Sequence, residues 1–363
     1  GSGQEARTLA IFYSPVEVRA PTLPYFKRTA GLKCGRLLIS PFTDEFYQDC
    51  IESVSALVRR IEVGYDRTIH YGYSMGGYAA LRFGCTDPKV AAIFALSPHL
   101  VLSRPHSRSS MLMRMTPLDD DVRPFVARAP TAARVFIGIS CLDPMDGVQI
   151  RDAKKLHGRN LRIATLLDQH YLGAINAPEK IIGAFLANGG WPEIPDGIQA
   201  TNQDKADAIS AYDYLLASHM DHEFKEPAFN YVSRIPSLHY WKARFLSGQG
   251  RTLESMTFFS KALEAAQRMC LPSHEIQISD ANALAAIGYY EPALGFYRHV
   301  QSNQPNFRNA FVCEASLLRR LGRTEEALKI VRDFESRFGS DSRIVEIRDA
   351  LRPTCSDGSE GVG

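Results

Sequence analysis

The 363-residue sequence lacks several features that would place it in a specialised class of protein. Its 42 basic and 40 acidic residues give a net charge of +2, so no overall field favours nucleic acid or a membrane surface as a partner. No apolar run reaches the roughly 18 residues needed to cross a bilayer. The first residues lack the basic and apolar regions of a signal peptide. We therefore expect a cytoplasmic protein with no membrane span and no nucleic-acid partner.

Cysteine is present, but not in a pattern typical of metal sites or disulfide frameworks. The seven cysteines are an odd number, and no two form a Cys-x-x-Cys pair. Buried thiols in a reducing compartment are the expected outcome. The sequence also contains no phosphate-binding loop, no dinucleotide fingerprint and no cluster of metal-ligating residues. We predict that the protein uses neither a cofactor nor a metal.

The first half of the chain alternates short apolar runs with helical patterns. Most runs are continuous rather than alternating, as expected for strands buried on both faces of a parallel sheet. Helical stretches are expected near 47–63, 76–85, 149–157 and 177–187, and a wider insertion occupies about 100–132. This order predicts a doubly wound α/β sheet. The six expected strands are Thr8–Tyr13, Gly35–Ser40, Thr68–Tyr73, Val90–Leu96, Arg134–Ile139 and Leu161–Leu166.

The second half repeats itself after a segment dense in helix breakers, residues 188–197. Three similar blocks begin at Gly250, Gly288 and Gly322, with offsets of 38 and 34 residues, and each follows an apolar helical stretch. Glycine suits the tight turn between two antiparallel helices. A period of 34 residues is that of the tetratricopeptide repeat, and this half of the chain resembles that family.

These patterns predict two domains of different class. Residues 7–188 form an α/β domain with a mostly parallel sheet of about six strands, and 189–202 form a linker. Residues 203–352 form an all-α repeat domain, in which 203–236 are a candidate for a further, degenerate helix pair. Residues 353–363 are expected to be a disordered tail.

The strongest local pattern is Gly72-Tyr73-Ser74-Met75-Gly76, between an apolar strand and an alanine-rich helix. This is the Gly-x-Ser-x-Gly nucleophile elbow in its strand–turn–helix setting. A serine on so sharp a turn has a strained backbone, so small residues are needed two positions before and after it. The motif predicts that Ser74 is a nucleophile. A glycine-rich turn without chemistry is the alternative.

Residues 7–187 resemble the α/β-hydrolase family, whose catalytic residues follow the order serine, acid, histidine. The resemblance implies an acid beyond the fifth strand. Asp143, followed by proline and a turn, is our choice, and Asp146 is the second choice. It also implies a histidine beyond the last strand, where His170 lies. His99, beyond the fourth strand, is the competing histidine.

The same resemblance implies an oxyanion hole with two backbone donors. One is the N–H of Met75. The second lies in the loop after an early strand, where the family often carries a His-Gly pair that this sequence lacks. The N–H of Ser14 or Val16 is the remaining choice, because Pro15 has none.

Further residues are expected around a substrate pocket. Tyr73 adjoins the nucleophile, and Asp44 and Tyr47 lie in the segment 40–47, just beyond the second strand. This segment is loosely similar to bacterial hydrolases associated with surface glycans, and a helix N-cap is its alternative interpretation. His99 would line the pocket if it is not the base. The insertion at 100–132 lies where the family carries its lid, and its arginines and methionines suit an anionic or amphipathic acyl group, unless the arginines pair with Asp119–Asp121.

The resulting prediction is a serine hydrolase that cleaves a small-molecule or glycan-linked ester, or a thioester or amide, through an acyl-enzyme. Ser74 attacks, His170 transfers the proton, and Asp143 holds the imidazole. The repeats would bind a protein partner, a second copy or the substrate's carrier. The alternatives are acyl transfer to a sugar or other alcohol, a scaffold with a vestigial hydrolase domain, and nucleophilic attack by Cys141.

Overall fold

The computed structural model divides the chain into two compact units, Gly1–Trp241 and Lys242–Gly363. It describes residues 7–15, 25–41, 43, 45–113, 116–117, 121–158, 160–170, 172, 175–219, 226 and 229–351. The predicted disordered tail, 353–363, lies outside these residues. None of the described helices is both long enough and apolar enough to span a bilayer.

The first unit is built on a six-stranded sheet with the strand order β2-β1-β3-β4-β5-β6. All neighbouring strands are parallel, with Ile11 of β1 opposite Leu37 of β2 and His70 of β3. Continuous apolar runs form these strands because both faces of the sheet are covered. The predicted α/β class and six strands are confirmed. The strands are β1 Thr8–Tyr13, β2 Gly35–Ile39, β3 Arg67–Tyr73, β4 Val90–Leu96, β5 Arg134–Ser140 and β6 Leu161–Leu166.

Helices pack on opposite faces of this sheet. Gly84, in α2, approaches His70 and Ile93, whereas the adjacent residues Tyr71 and Phe94 belong to the core that includes α6. Successive strand residues point to opposite faces, so the sheet is doubly wound. Helices α1 to α6 are Ile51–Glu62, Met75–Gly84, Arg108–Leu112, Arg123–Ala127, Gly147–Ala153 and Pro178–Asn188, with short 3-10 helices at Gln48–Cys50 and Pro144–Asp146.

The first unit continues past the predicted linker, which corrects the predicted domain boundary. Residues 198–200 lie along β6, where Leu167 N donates to Ile198 O at 2.6 Å and Ala200 N donates to Thr165 O at 2.8 Å. Helix α7, Asn202–Ala217, packs on α5 and on the 3-10 helix before it. Its Tyr212 and Leu215 bury apolar surface there. Residues 203–217 therefore belong to the α/β unit rather than to the repeats.

The repeat region begins with α8, Pro236–Gly248, which spans the division between the units. Gly250, Gly288 and Gly322 lie in turns between helices, with φ of 76°, 90° and 70°. These values fall in the left-handed region of backbone conformation, which favours glycine. Each lies between the two helices of a pair, as the sequence predicts. Alanine and leucine side chains of α10 to α13 form the shared core. Helices α9 to α14 are Thr252–Arg268, His274–Ala286, Tyr290–Asn303, Arg308–Arg320, Thr324–Phe338 and Ser342–Leu351.

Candidate active site

Ser74 occupies a strained turn between β3 and α2. Its φ of 55° and ψ of −121° are rare for a residue with a side chain. Strain of this kind costs about 1–3 kcal/mol and persists only where surrounding structure enforces it. Here Ser74 N donates to Leu96 O at 2.8 Å, and Tyr78 N donates to Ser74 O at 3.1 Å. The neighbouring strand and the first turn of α2 thus hold the serine in place.

The glycines around Ser74 leave no room for larger residues. A Cβ on Gly72 would overlap the carbonyl of Gly76, and a Cβ on Gly76 would overlap the carbonyl of Tyr13. A Cβ on Gly77 would lie 2.8 Å from the oxygen of Leu96. Close backbone approach explains why the motif requires small residues two positions either side of the serine.

Three side chains form a continuous hydrogen-bonded line at the carboxyl ends of the strands. His170 Nε2 lies 3.0 Å from Ser74 Oγ. His170 Nδ1 lies 2.8 Å from Asp146 Oδ2 and 3.0 Å from Oδ1. Because a carboxylate only accepts, Nδ1 carries the hydrogen, which leaves the lone pair of Nε2 for the serine hydroxyl. Asp146 is fully buried, Ser74 is 5% exposed, and the His170 side chain is 12% exposed.

The choice of Asp143 as the partner of His170 is corrected by this geometry. Asp143 Oδ1 accepts from Met145 N at 2.9 Å and so caps the 3-10 helix Pro144–Asp146. Asp followed by Pro is a favoured helix start. That helix carries the chain to Asp146, whose side chain then meets the imidazole. Asp168, two residues before His170, accepts from Gln169 N at 2.8 Å through Oδ1.

The loop that carries His170 is held by Ser97, a residue that the sequence analysis missed. Ser97 Oγ donates to the carbonyl of His170 at 2.6 Å, and its own N–H donates to Gly138 O at 2.7 Å. Ser97 is buried and has a φ of 42°. Its position directly after β4 was the available signal, since residues there face the same edge of the sheet as the serine.

Two aromatic side chains expected near the site adjoin the imidazole of His170. The Tyr73 ring centroid lies 5.8 Å from that of His170, and the His99 centroid lies 6.0 Å from it. His99 is fully buried and packs edge-on against Phe46 at 4.9 Å. His170, rather than His99, is the histidine that contacts Ser74.

Other expected pocket and oxyanion residues are placed differently. The N–H of Ser14 donates to Ile39 O at 3.0 Å, so it continues the pairing of β1 with β2 and is not free to receive an oxyanion. Tyr47 is fully buried, with its hydroxyl 3.1 Å from Ser14 O and 3.2 Å from Ile39 O, and belongs to the core rather than to a pocket. Val16 and Asp44 lie outside the described residues. Met75 is the first residue of α2, where the N–H has no partner within the helix.

Arginine–carboxylate pairs connect the insertion at 100–132 to helix α5. Arg104 Nε donates to the buried Asp152 at 2.9 Å. Arg123 lies 2.6 Å from Asp121 and 3.2 Å from Asp152. These two arginines stabilise the insertion through ion pairs within the protein. The pairs favour a structural role over substrate binding for Arg104 and for Arg123. Met111 is 62% exposed, whereas Arg114, Met115, Asp119 and Asp120 lie outside the described residues.

Cys141 does not have the surroundings of a nucleophile. It is fully buried, its Sγ lies 3.2 Å from Asp204 O, and burial raises its pKa far above that of a free thiol. A thiol is reactive only as the thiolate, which this environment disfavours. The alternative in which Cys141 attacks the substrate is therefore contradicted.

A second buried histidine–carboxylate pair lies on the α2 face of the sheet. His70 Nε2 is 2.9 Å from Asp87 Oδ2, and His70 Nδ1 is 3.0 Å from the hydroxyl of Tyr13. Burial alone would raise the pKa of Asp87, but hydrogen bonds from His70 and Thr68 bring it below its ordinary value. His70 is fully buried and both of its ring nitrogens have partners, so it is part of the packed face of the sheet.

Among the described residues, no three histidine, cysteine or carboxylate side chains are grouped so that they could hold a metal ion. No protein-family model matches the chain, and no curated protein sequence matches it.

Solved structures show only distant likeness. A tetratricopeptide repeat protein from Parabacteroides merdae is 17% identical at a TM-score of 0.30, and the match covers 41% of this chain and 54% of that one. The 2,6-dihydroxy-pseudo-oxynicotine hydrolase is 14% identical at a TM-score of 0.38, covering 54% and 66%. An esterase of Pyrococcus furiosus is 13% identical at a TM-score of 0.30, covering 50% and 80%. This chain thus spans about half the length of the repeat protein. TM-scores as low as these establish no shared function.

Proposed function

We propose that the first unit is a serine hydrolase acting on a carboxylic ester, with Ser74, His170 and Asp146 as its triad. The observation that supports this is the line of hydrogen bonds from Ser74 Oγ through the imidazole to a buried carboxylate, at 3.0 and 2.8 Å. A strained serine at the start of a helix adds to it, because such strain is concentrated at functional sites.

In the proposed reaction, Ser74 Oγ attacks the ester carbonyl while His170 Nε2 takes the hydroxyl proton. The carbonyl oxygen becomes an oxyanion, and the N–H of Met75 and the positive end of the α2 dipole stabilise it. The intermediate then collapses to an acyl-serine as Nε2 returns the proton to the departing alcohol oxygen. Water, deprotonated by the same imidazole, releases the acid and restores the serine.

Asp146 has a separate task in this cycle. During each proton transfer the imidazole becomes an imidazolium, and the buried carboxylate against Nδ1 stabilises that charge. The same contact fixes the ring so that Nε2 faces Ser74. Since Asp146 is shielded from water, its charge acts on the imidazolium with little screening.

The repeats of the second unit are proposed to bind a protein partner. Stacked helix pairs present an extended concave surface, which is how such arrays usually engage other chains. This proposal is independent of the chemistry at Ser74.

Hydrolysis of a panel of p-nitrophenyl esters of increasing acyl length tests the enzymatic proposal. We expect turnover by the wild type and a loss of about 10³-fold or more in kcat for both Ser74→Ala and His170→Ala. Equal turnover by Ser74→Ala would contradict it. Adding an acceptor alcohol and analysing the products separates water from a sugar hydroxyl as the acyl acceptor.

A further inference from the structure

A cavity of about 690 Å³ lies in the first unit, at the edge of the sheet opposite to the proposed triad. Thr8 and Arg67, the first residues of β1 and β3, line it, whereas Ser74 follows the other end of β3. At about 3.3 Å per residue, the length of β3 separates the cavity from Ser74 by about 20 Å. The volume is within the range of small-molecule sites, about 300–1,000 Å³.

Basic side chains outnumber acidic ones at this cavity. Arg28, Lys33 and Arg67 line it, and Glu179 is the one carboxylate among its described lining residues. Glu179 is paired with Arg28, because its Oε2 lies 3.3 Å from Arg28 Nε. Lys33 and Arg67 therefore have no carboxylate partner among the described lining residues, and their charge favours an anionic ligand.

Arg67 is held in place and still has donors for a ligand. Its Nε donates to Thr8 Oγ1 at 2.8 Å, which fixes the guanidinium at the start of β1. Asp66, the carboxylate next to Arg67 in sequence, instead accepts from Arg7 N at 2.7 Å. Among the described residues, no hydrogen bond or ion pair engages the two Nη groups of Arg67. These two groups can bind a carboxylate through parallel hydrogen bonds.

One face of α6 forms an apolar wall of the cavity. Glu179, Gly183 and Leu186 follow one another at spacings of four and three residues, so they lie on the same face of the helix. Gly183 is inside the helix, where glycine is less favourable than alanine. A Cβ on Gly183 would meet no atom within 4 Å, so packing does not require a glycine there. The missing side chain leaves space beside Leu186 and Leu32 for an apolar ligand.

We propose that this cavity binds a medium-chain fatty acid, with its carboxylate at Arg67 and Lys33 and its hydrocarbon chain along Gly183. Two cations beside an apolar wall select a ligand that has one negative charge and a hydrocarbon body. The site shares no residue with the triad. The inference goes beyond the proposed ester hydrolysis and does not depend on it.

Isothermal titration calorimetry of the full chain with octanoate tests this proposal. Acetate is the control that keeps the carboxylate without the chain, and 1-octanol is the control that keeps the chain without the charge. We expect saturable binding of octanoate that weakens as salt rises and is at least about tenfold tighter than that of either control. No saturable binding of octanoate, or equal binding of either control, would overturn the proposal.

Substitutions distinguish this cavity from the triad. Arg67→Gln should weaken octanoate binding about tenfold, and Lys33→Gln about threefold, because lysine lacks the two-pronged geometry of a guanidinium. Gly183→Leu should weaken it at least about tenfold by filling the space along α6. His170→Ala should bind octanoate as the wild type does. Loss of binding in His170→Ala alone would place the acid at the triad and overturn the proposal.

Two matched variants control for lost charge and added bulk. Arg60→Gln removes an exposed guanidinium on α1 that does not line the cavity. Gly295→Leu adds the same side chain at an exposed position of α11, where a Cβ likewise meets no atom within 4 Å. Both should leave octanoate binding unchanged. Equal weakening by Arg60→Gln and Arg67→Gln, or by Gly295→Leu and Gly183→Leu, would contradict a specific site.

Ester hydrolysis and thermal unfolding are measured on the same preparations. Lys33→Gln and Gly183→Leu should leave hydrolysis unchanged, and Gly183→Leu should unfold at a temperature no lower than the wild type, because leucine favours a helix more than glycine does. Octanoate binding without hydrolysis would contradict the enzymatic proposal alone. Hydrolysis without octanoate binding would contradict the cavity proposal alone.

Discussion

Asp146 Oδ2 lies 2.8 Å from Nδ1 of His170, and the carboxylate is fully buried. Three residues earlier, Asp143 uses its carboxylate to cap the helix that carries Asp146. Two aspartates within one turn therefore make different contacts, one with the imidazole and one with the backbone at a helix start.

Matched substitutions separate these two aspartates. Asp146→Asn should lower kcat by about 10³- to 10⁴-fold, because an amide can stabilise neither the imidazolium nor the required tautomer. Asp143→Asn should keep kcat within about threefold of the wild type, because asparagine caps a helix as well as aspartate does. Steady-state ester kinetics provide the comparison. The opposite ranking would restore Asp143 as the triad acid.

Removal of the Ser97 hydroxyl should slow the reaction without weakening substrate binding. The hydroxyl holds the His170 carbonyl, so its loss lets the imidazole drift from Ser74. We expect kcat to fall about tenfold in both Ser97→Ala and Ser97→Gly, with KM little changed.

The two Ser97 variants should differ in stability. Glycine adopts the φ of 42° without strain, whereas alanine does not, so Ser97→Gly should unfold at the higher temperature of the two. If kcat is unaffected in Ser97→Gly, the hydroxyl does not position the histidine.

Asp280 should make the repeat region less stable as the pH rises. It is buried in α10, its Oδ1 has no hydrogen-bond partner among the described residues, and burial raises its pKa to about 6. A carboxyl whose pKa is raised on folding contributes most below its unfolded value near 4, and that contribution is lost as the pH rises through 6. Asp280→Asn should therefore stabilise the protein by about 2 kcal/mol at pH 7.5.

Calorimetric unfolding of wild type and Asp280→Asn at two values of pH measures this effect. The benefit of the substitution should vanish at about pH 3, where the wild-type carboxyl is protonated in both states. A benefit of the same size at both values of pH would show that ionisation of Asp280 is not its source.

Asp204 should have the opposite dependence on pH. Burial alone would raise its pKa, but hydrogen bonds from Arg234 and Thr201 lower it to about 2. A carboxyl whose pKa is lowered on folding contributes fully above its unfolded value near 4, and the contribution is lost as the pH falls toward 2.

Asp204→Asn should cost about 1–2 kcal/mol at neutral pH, because the charge-assisted bonds to Arg234 are lost. Urea unfolding at pH 7 and near pH 2 provides the measurement. An equal cost at both values of pH would mean that ionisation contributes nothing.

The sequence predicts the sheet and the sharp turn at Ser74 well, for physical reasons. Strands buried on both faces need continuous apolar runs, so their positions are visible without a structure. The turn at Ser74 tolerates only small neighbours, so Gly72 and Gly76 mark it. Likewise, glycine is needed for the positive φ between paired helices, which reveals the repeats.

Other features depend on contacts that no local pattern encodes. Asp143 and Asp146 differ only by the path of one short turn, and the capping bond decides which of them meets His170. The sequence of α7 predicts a helix in either unit, but it does not say that this helix packs on α5. Tyr47 and Ser14 follow strands at the edge of the sheet where the sequence predicts the site. The Tyr47 hydroxyl and the Ser14 N–H instead form hydrogen bonds with backbone carbonyls in the core.

The most direct measurement is intact-mass spectrometry after treatment with a fluorophosphonate, followed by peptide mapping. We predict a single adduct on Ser74, formed by the wild type and by Asp143→Asn, lost in Ser74→Ala and strongly slowed in His170→Ala and Asp146→Asn. An adduct that persists in Ser74→Ala, or a folded wild type that is never labelled, would contradict the proposed nucleophile.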